Sequence, residues 1–243
     1  MALRLTKHEG WGNDFLVVAE APITPALARR VCDRRFGIGA DGLLRLTRGT
    51  DTDLGMELLN ADGSSAEMSG NGLRCLVQAA ARLGWVLTDT VTVMTGAGLR
   101  SARLEGDCIS VDMGAVVIEG IDHEDMLLNV GNPHRVRRVP EPESYDLVAA
   151  GTAHRDVNLE VIAAGADIDT VIMRVHERGA GETLACGTGA CAVAVAASKW
   201  GLVTGTLVTV RQPGGDAAVD ITDTAHVQLA GPVSYIGSIE IPE

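Results

Sequence analysis

The sequence predicts an α+β fold of two pseudo-symmetric domains, each a curved, mainly antiparallel β-sheet or barrel wrapped around a central helix. Three observations carry that expectation. Sliding the chain against itself by 117 positions lays residues 63–114 over residues 180–231 without a gap. In each copy a glycine-rich turn opens a segment too apolar to lie on a surface. Short segments of alternating polarity surround that segment.

The coincidences are spread along the whole repeat. Gly70 and Gly72 fall on Gly187 and Gly189, Ala79 and Ala80 on Ala196 and Ala197, and Gly84 on Gly201. Val91, Thr92 and Val93 fall on Val208, Thr209 and Val210, and Gly114 falls on Gly231. Near the start of each half, at a shift of 119, Gly12 and Asn13 fall on Gly131 and Asn132. A repeat of this length implies one supersecondary unit used twice. The expected domains are residues 1–115 and 116–231, with the tail 232–243 a candidate to return to the first.

In chain order, strands are expected over residues 3–8, 15–19, 42–47 and 56–59. A helix over 73–83 follows, ended by Gly84, with Arg74, Gln78 and Arg82 as one polar stripe at helical spacing. Strands over 90–95, 98–105 and 108–113 complete the first copy. The second has a helix over 190–200, ended by Gly201 and apolar almost all round, so it needs protein on every side. Strands over 207–211, 217–222 and 226–229 follow it, and a last one is expected over 235–241.

Composition narrows the function. With 20 basic against 32 acidic side chains the formal charge is −12, and there is no basic patch, so nucleic acid is not an expected partner. No apolar run is long enough to span a bilayer. Five cysteines and an N-terminus without an apolar core point to a reduced, cytoplasmic chain. Lys7 and Lys199 are the two lysines, which gives weak support to a Schiff-base cofactor.

The repeat brings Ser69-Gly70-Asn71-Gly72 and Cys186-Gly187-Thr188-Gly189 into correspondence, each just before a buried helix. Helix starts present unpaired N–H groups and the positive end of the dipole, which suits a carboxylate and lowers the pKa of a thiol. One proton-transfer group at each start would suit inversion of a stereocentre. Ser69 also reads as an ordinary N-cap, whereas cysteine is not a favoured cap. A dinucleotide fingerprint is rejected because residues 60–68 do not read as a buried strand. Cys186 and Cys191 lack a second pair at ligand spacing, so no metal is expected. His134 follows Gly-Asn-Pro, which reads as a turn that frees the side chain to face a cleft.

These residues resemble the cofactor-independent diaminopimelate epimerases. Asn60-Ala-Asp-Gly-Ser with Ser69-Gly-Asn-Gly-Leu-Arg is similar to the family's first signature, and Glu177-Arg-Gly-Ala-Gly-Glu-Thr-Leu-Ala-Cys-Gly-Thr-Gly-Ala to its second. Gly12-Asn13-Asp14-Phe15, Phe36-Gly-Ile-Gly-Ala-Asp-Gly and Gly131-Asn132-Pro133-His134 are similar to three further blocks, all in family order. The resemblance implies epimerisation of LL-diaminopimelate to the meso isomer, a step toward lysine and peptidoglycan, by a two-base mechanism without cofactor, in a homodimer. It implies Cys186 and Ser69 at the two acid/base positions, with His134 and Glu177 assisting. It also implies that Asn13, Asn60, Asn132, Asn158, Glu177 and Arg178 bind substrate, with Gly70, Asn71, Gly187 and Thr188 lining the helix starts.

The chain departs from the family in two ways. It is shorter, with the loss around residues 97–125. The family also has cysteine where this chain has Ser69, and an alcohol is a far poorer base than a thiol. Three readings follow: an engineered change, a natural epimerase in which Ser69 donates or relays a proton, or a relative using one base. The last would be a hydroxy-amino-acid dehydratase. An epimerase of another amino acid and a non-catalytic amino-acid-binding protein are the remaining alternatives.

Overall fold

The computed structural model describes residues 2–242. The chain divides into two compact units, Met1–Val111 with Pro232–Glu243, and Asp112–Gly231. Residues 112–116 go with the second unit because Met113 and Val116 donate backbone hydrogen bonds to Val227 and Thr224, and His226 bonds Asp112.

In the first unit, β1 (Ala2–Gly10) and β2 (Asn13–Ala19) form a hairpin in which Gly10 faces Asn13. Trp11 and Gly12 between them have φ of 59° and 81°, as a type I′ turn requires. That conformation costs a bulky residue about 1–2 kcal/mol. Burial of the indole against the Arg74 guanidinium, 3.8 Å from the ring centre, offsets it.

Helix α1 (Pro25–Cys32) then crosses over, so that β3 (Gly42–Arg48) lies parallel to β2. β4 (Leu54–Asn60) and the short β5 (Ser65–Ala66) continue antiparallel. Helix α2 (Gly70–Arg82) makes a second crossover to β6 (Thr90–Thr95), parallel to β4. β7 (Gly98–Glu105) and β8 (Cys108–Asp112) close the unit as a meander.

The second unit repeats this order. β9 (Val117–Asp122) pairs with β10 (Asp125–Asn129), which pairs with β11 (Pro133–Arg138). α3 (Leu147–Ala153) crosses to β12 (Asn158–Ala164), parallel to β11. β13 (Thr170–Glu177) and β14 (Gly181–Thr183) follow, and α4 (Gly187–Lys199) crosses to β15 (Leu207–Gln212), parallel to β13. β16 (Gly215–Asp220) and β17 (Gln228–Pro232) are antiparallel. The last strand, β18 (Ser234–Pro242), pairs with β1, with Leu3 opposite Ile241, as β9 pairs with β10. The sequence repeat is therefore a repeat of topology.

Each central helix begins three residues before its expected start, because Ser69 and Cys186 cap the first turns. α4 is buried over the whole of its first eleven residues, Gly187 to Ala197. The expected antiparallel sheet also holds four parallel contacts, one at each helical crossover. The crossover helices α1 and α3 were not expected. Their signals are local: Thr24 accepts a hydrogen bond from Leu27 N ahead of Pro25, and Asp146 caps α3.

The polar stripe on α2 runs from a buried end at Arg74, through a half-buried Gln78, to an exposed Arg82. Arg74, fully buried, donates to the Pro232 carbonyl at 2.9 Å, and Gln78 donates to the Val233 carbonyl at 2.6 Å. Arg82 stacks on Tyr235, 3.6 Å from its ring centre. The stripe is the seat of the tail strand. Replacing Arg74 with Leu leaves the buried Asn71 side-chain carbonyl and the half-buried Pro232 carbonyl without this donor. We expect a loss of about 2–3 kcal/mol or more, read by urea unfolding, with the Gln78→Leu loss smaller.

Candidate active site

The two helix starts have matching backbones. Ser69 has φ −144° and ψ 121°, and Cys186 has φ −135° and ψ 116°. In each, the side chain accepts a hydrogen bond from the third residue on: Gly72 N to Ser69 Oγ at 3.0 Å, and Gly189 N to Cys186 Sγ at 3.4 Å. A Cβ at Gly72 would press on Ser69 and Phe15. One at Gly189 would come 2.7 Å from Glu160 Oε1 and 3.3 Å from Cys186 Sγ. Glycine at these positions lets a second side chain reach the helix start.

Which side chain reaches it is where the copies part. Phe15 opposes Gly42 in one unit as His134 opposes Asn158 in the other. Counting along the paired strands, Leu44 and Asn60 take the places of Glu160 and Glu177. Three ionisable groups thus surround Cys186, while the same positions around Ser69 hold two apolar groups and a neutral amide. Ser69 has no ionisable group at these positions to take its proton.

Around Cys186 the polar groups are linked. Its backbone N–H donates to Gln212 Oε1 at 2.8 Å, and its sulfur lies 3.4 Å from Thr188 Oγ1. Asn132 donates to Thr188 at 3.4 Å, and its carbonyl is 2.9 Å from His134 Nε2. His134 Nδ1 is 2.7 Å from Glu160 Oε1, and both side chains are fully buried. Glu177 accepts from Thr183 at 2.6 Å and is also reached by the Cys186 thiol. Burial raises the Glu177 carboxyl above its ordinary value. Burial, then the charges of Glu177 and Glu160, push the Cys186 thiol well up.

In the first unit, Asn71 donates to Asn13 at 3.1 Å and accepts from Arg74 at 2.7 Å, and Asn13 donates to Asp41 at 2.7 Å. Asp41 belongs to an ion-pair set with Arg34, Asp14 and Lys7, so Lys7 is held as a charged partner. Asn60 is exposed and bonds Ser64. Asn158 is buried and accepts from Arg178 N, while the Arg178 side chain is exposed. Gly70 and Gly187 are the first residues of α2 and α4.

Two features escaped sequence reading. His134 does not sit on a turn; it is the second residue of β11 and 1% exposed. Glu160 was missed altogether, although a lone glutamate within Asn158-Leu-Glu-Val-Ile is the signal that could have found it. Cys191 packs inside α4, as expected of a core residue. Among the described residues, no group of three or more His, Cys, Asp or Glu is placed to hold a metal ion. Among them, too, no helix is long and apolar enough to cross a membrane.

The family pattern described as Diaminopimelate epimerase matches the chain twice, at residues 5–119 and 126–236, once per repeat. A diaminopimelate epimerase of Desulfitobacterium hafniense is 35% identical over 274 positions, covering 96% of each chain. That of Microcystis aeruginosa is 38% identical over 279 positions, covering 97% of this chain and 98% of the relative. These alignments exceed the 243 residues here, so the relatives carry segments this chain lacks. Among solved structures, a hydroxyproline epimerase from Agrobacterium vitis superposes with a TM-score of 0.75 at 16% identity, covering 99% of this chain and 91% of that one. A phenazine biosynthesis protein of the PhzF family from Bacillus anthracis gives 0.77 at 13%, with full coverage of both. These distant likenesses speak for the fold, and the closer relatives and the doubled pattern match for more: the chain belongs to the diaminopimelate epimerase family.

Proposed function

We propose that this chain epimerises LL-diaminopimelate to the meso isomer, a step toward lysine and peptidoglycan, with Cys186 and Ser69 each carrying one proton transfer and no cofactor. The observation that carries the reading is the identical capping role of the two residues at equivalent points of the repeat.

The roles differ because the surroundings differ. Cys186 rests as a thiol, and Glu177, whose carboxyl burial has made more basic, is the group suited to take its proton. The thiolate then removes the α proton: the C–H bond breaks, the S–H bond forms, and the electron pair stays on carbon, spreading into the substrate carboxylate. N–H groups at the helix starts, with Gly70, Asn71, Gly187 and Thr188, stabilise that charge. Asn13, Asn60, Asn132, Asn158 and Arg178 are assigned to the amino and carboxylate groups. Ser69 already accepts from Gly72 N, so its own proton is free to be donated. It delivers that proton to carbon and is refilled from water. Ser69 therefore works as an acid and Cys186 as the base.

A second reading has one specific support: Phe15, Leu44 and Asn60 put no base at the positions that hold His134, Glu160 and Glu177 around Cys186. One base at Cys186 would suffice for a dehydratase, which removes the α proton and expels a β-hydroxyl as water. Product analysis separates the two, since an epimerase conserves mass. Homodimerisation, cytoplasmic residence and a small amino-acid ligand rest on the sequence and the family likeness; sedimentation velocity reads the first.

In deuterated water, proton NMR should show α-hydrogen washout from LL-diaminopimelate and appearance of the meso isomer. Cys186→Ala should slow washout about 100- to 10,000-fold; parental exchange in that variant removes the assignment. Ser69→Cys should speed the direction that needs a base at position 69.

Glu177 also links function to stability. Its folded carboxyl is raised above the unfolded value, so stability falls as pH climbs from the ordinary glutamate range through the raised value. Glu177→Gln should remove that fall. The variant is expected to resist urea better than the parent at neutral pH, to match it in acid, and to lose α-proton exchange. Equal urea midpoints for the two at both pH values would contradict this.

A further inference from the structure

Hydrogen-bonded strings of equivalent residues reach both helix starts, and they differ in what ends them. In the first unit the string runs Arg74, Asn71, Asn13, Asp41. A guanidinium can only donate and a carboxylate can only accept, so every amide in it is fixed in one direction. In the second unit the string runs Glu160, His134, Asn132, Thr188, Cys186. Asn132 and Thr188 stand where Asn13 and Asn71 stand in the first. Here imidazole, carboxyl and thiol can all gain or lose a proton, so the direction of the string depends on protonation.

The direction can be worked out. Glu160 Oε2 has no hydrogen-bond partner, so the buried carboxylate depends on His134 for its charge balance. Both ring nitrogens of His134 face oxygen, Nδ1 toward Glu160 and Nε2 toward the Asn132 carbonyl, which asks for a proton on each. Asn132 then presents N–H to Thr188, whose oxygen accepts it. The one proton of Thr188 is left for the sulfur. With a bare Nε2 the order reverses. The amide turns its NH2 to the ring, its carbonyl takes the Thr188 proton, and the sulfur loses the hydroxyl donor and keeps only Gly189 N–H.

We propose that Glu160 is a positioning residue which, through His134, Asn132 and Thr188, aims a hydroxyl proton at the Cys186 sulfur and so stabilises the thiolate. This rests on the reading of Cys186 as a proton-transfer group. The charged groups facing that sulfur are Glu160 from β12, His134 from β11 and Glu177 from β13; β15 contributes the neutral Gln212.

The sign of one substitution separates this string from simple repulsion. As a lone charge, Glu160 pushes the Cys186 thiol up, so removing it would make the thiol more acidic. As half of a neutral pair whose effect reaches sulfur through Thr188, its removal makes the thiol less acidic.

The test is NMR titration of the full chain carrying 13Cβ-cysteine and 15N-histidine, with the Cys186 signal identified by its absence in Cys186→Ser. The His134 15N shifts should change between the parent and Glu160→Gln. The Cys186 midpoint should rise by about one pH unit in Glu160→Gln and in Thr188→Val, and Thr188→Ser should return it to the parental value. A fall in Glu160→Gln, an unmoved midpoint or absent titration in Thr188→Val, or His134 15N shifts that do not respond to Glu160→Gln overturn the proposal. Washout of the substrate α proton is measured separately. Its absence with the titration shifts intact removes the catalytic role of Cys186 and leaves the string standing.

Discussion

A helix that runs through a core must still satisfy the N–H groups of its first turn, and the rest of this structure depends on how α2 and α4 do so. Cys186 is buried and Ser69 half-buried, and at both starts the first-turn donors meet the side chain of the residue just outside the helix. Ser69 and Cys186 fill that place with the same backbone angles. The cap is therefore a structural necessity before it is anything chemical. Chemistry becomes available because the capping atom, unlike a backbone carbonyl, can also carry a proton.

The strands decide what that proton meets. In both units the same parallel crossover brings the first residues of two strands under the helix start, and the third-residue glycine leaves room for them. One unit fills the room with Phe15 and Leu44, the other with His134 and Glu160. A single topology thus yields one apolar and one ionisable socket. The difference lies in three side chains rather than in any change of backbone.

Much of this was legible in the chain. The repeat fixed the equivalence of Ser69 and Cys186, and the apolar helices announced their burial. The expected strand boundaries over 90–95 and 98–105 match β6 and β7 to the residue. What was missed has a common cause. Helices α1 and α3 span only eight and seven residues, about two turns each, too short for a helical period to repeat, so the caps are the stronger signal. Glu160 was missed because a buried glutamate inside an apolar run violates the very pattern used to find strands. Its partner His134 lies 26 residues away in sequence, and their meeting is set by the parallel register of β11 with β12. Arg74, Gln78 and Arg82 were read as a stripe, but the segment that covers them lies some 155 residues on.

The apolar socket is the ordinary solution and the ionisable one is the exception that needs explaining. Burying Phe15 and Leu44 contributes about 1.5–3 kcal/mol each. Burying a carboxylate, an imidazole and a second carboxylate beside a thiol forgoes that gain and adds desolvation, which the raised Glu177 and Cys186 protonation equilibria register. A buried ion pair seldom repays its desolvation in stability. The His134–Glu160 pair, 2.7 Å apart and fully buried, therefore makes more sense as a device for orienting the groups next to the Cys186 sulfur than as a source of stability. The first unit carries no such pair: the Ser69 oxygen accepts from Gly72 N, and the amides of Asn71 and Asn13 are clamped between Arg74 and Asp41. On the proposed chemistry, in which Cys186 takes a proton and Ser69 gives one, the two copies diverge where the demand on the cap differs.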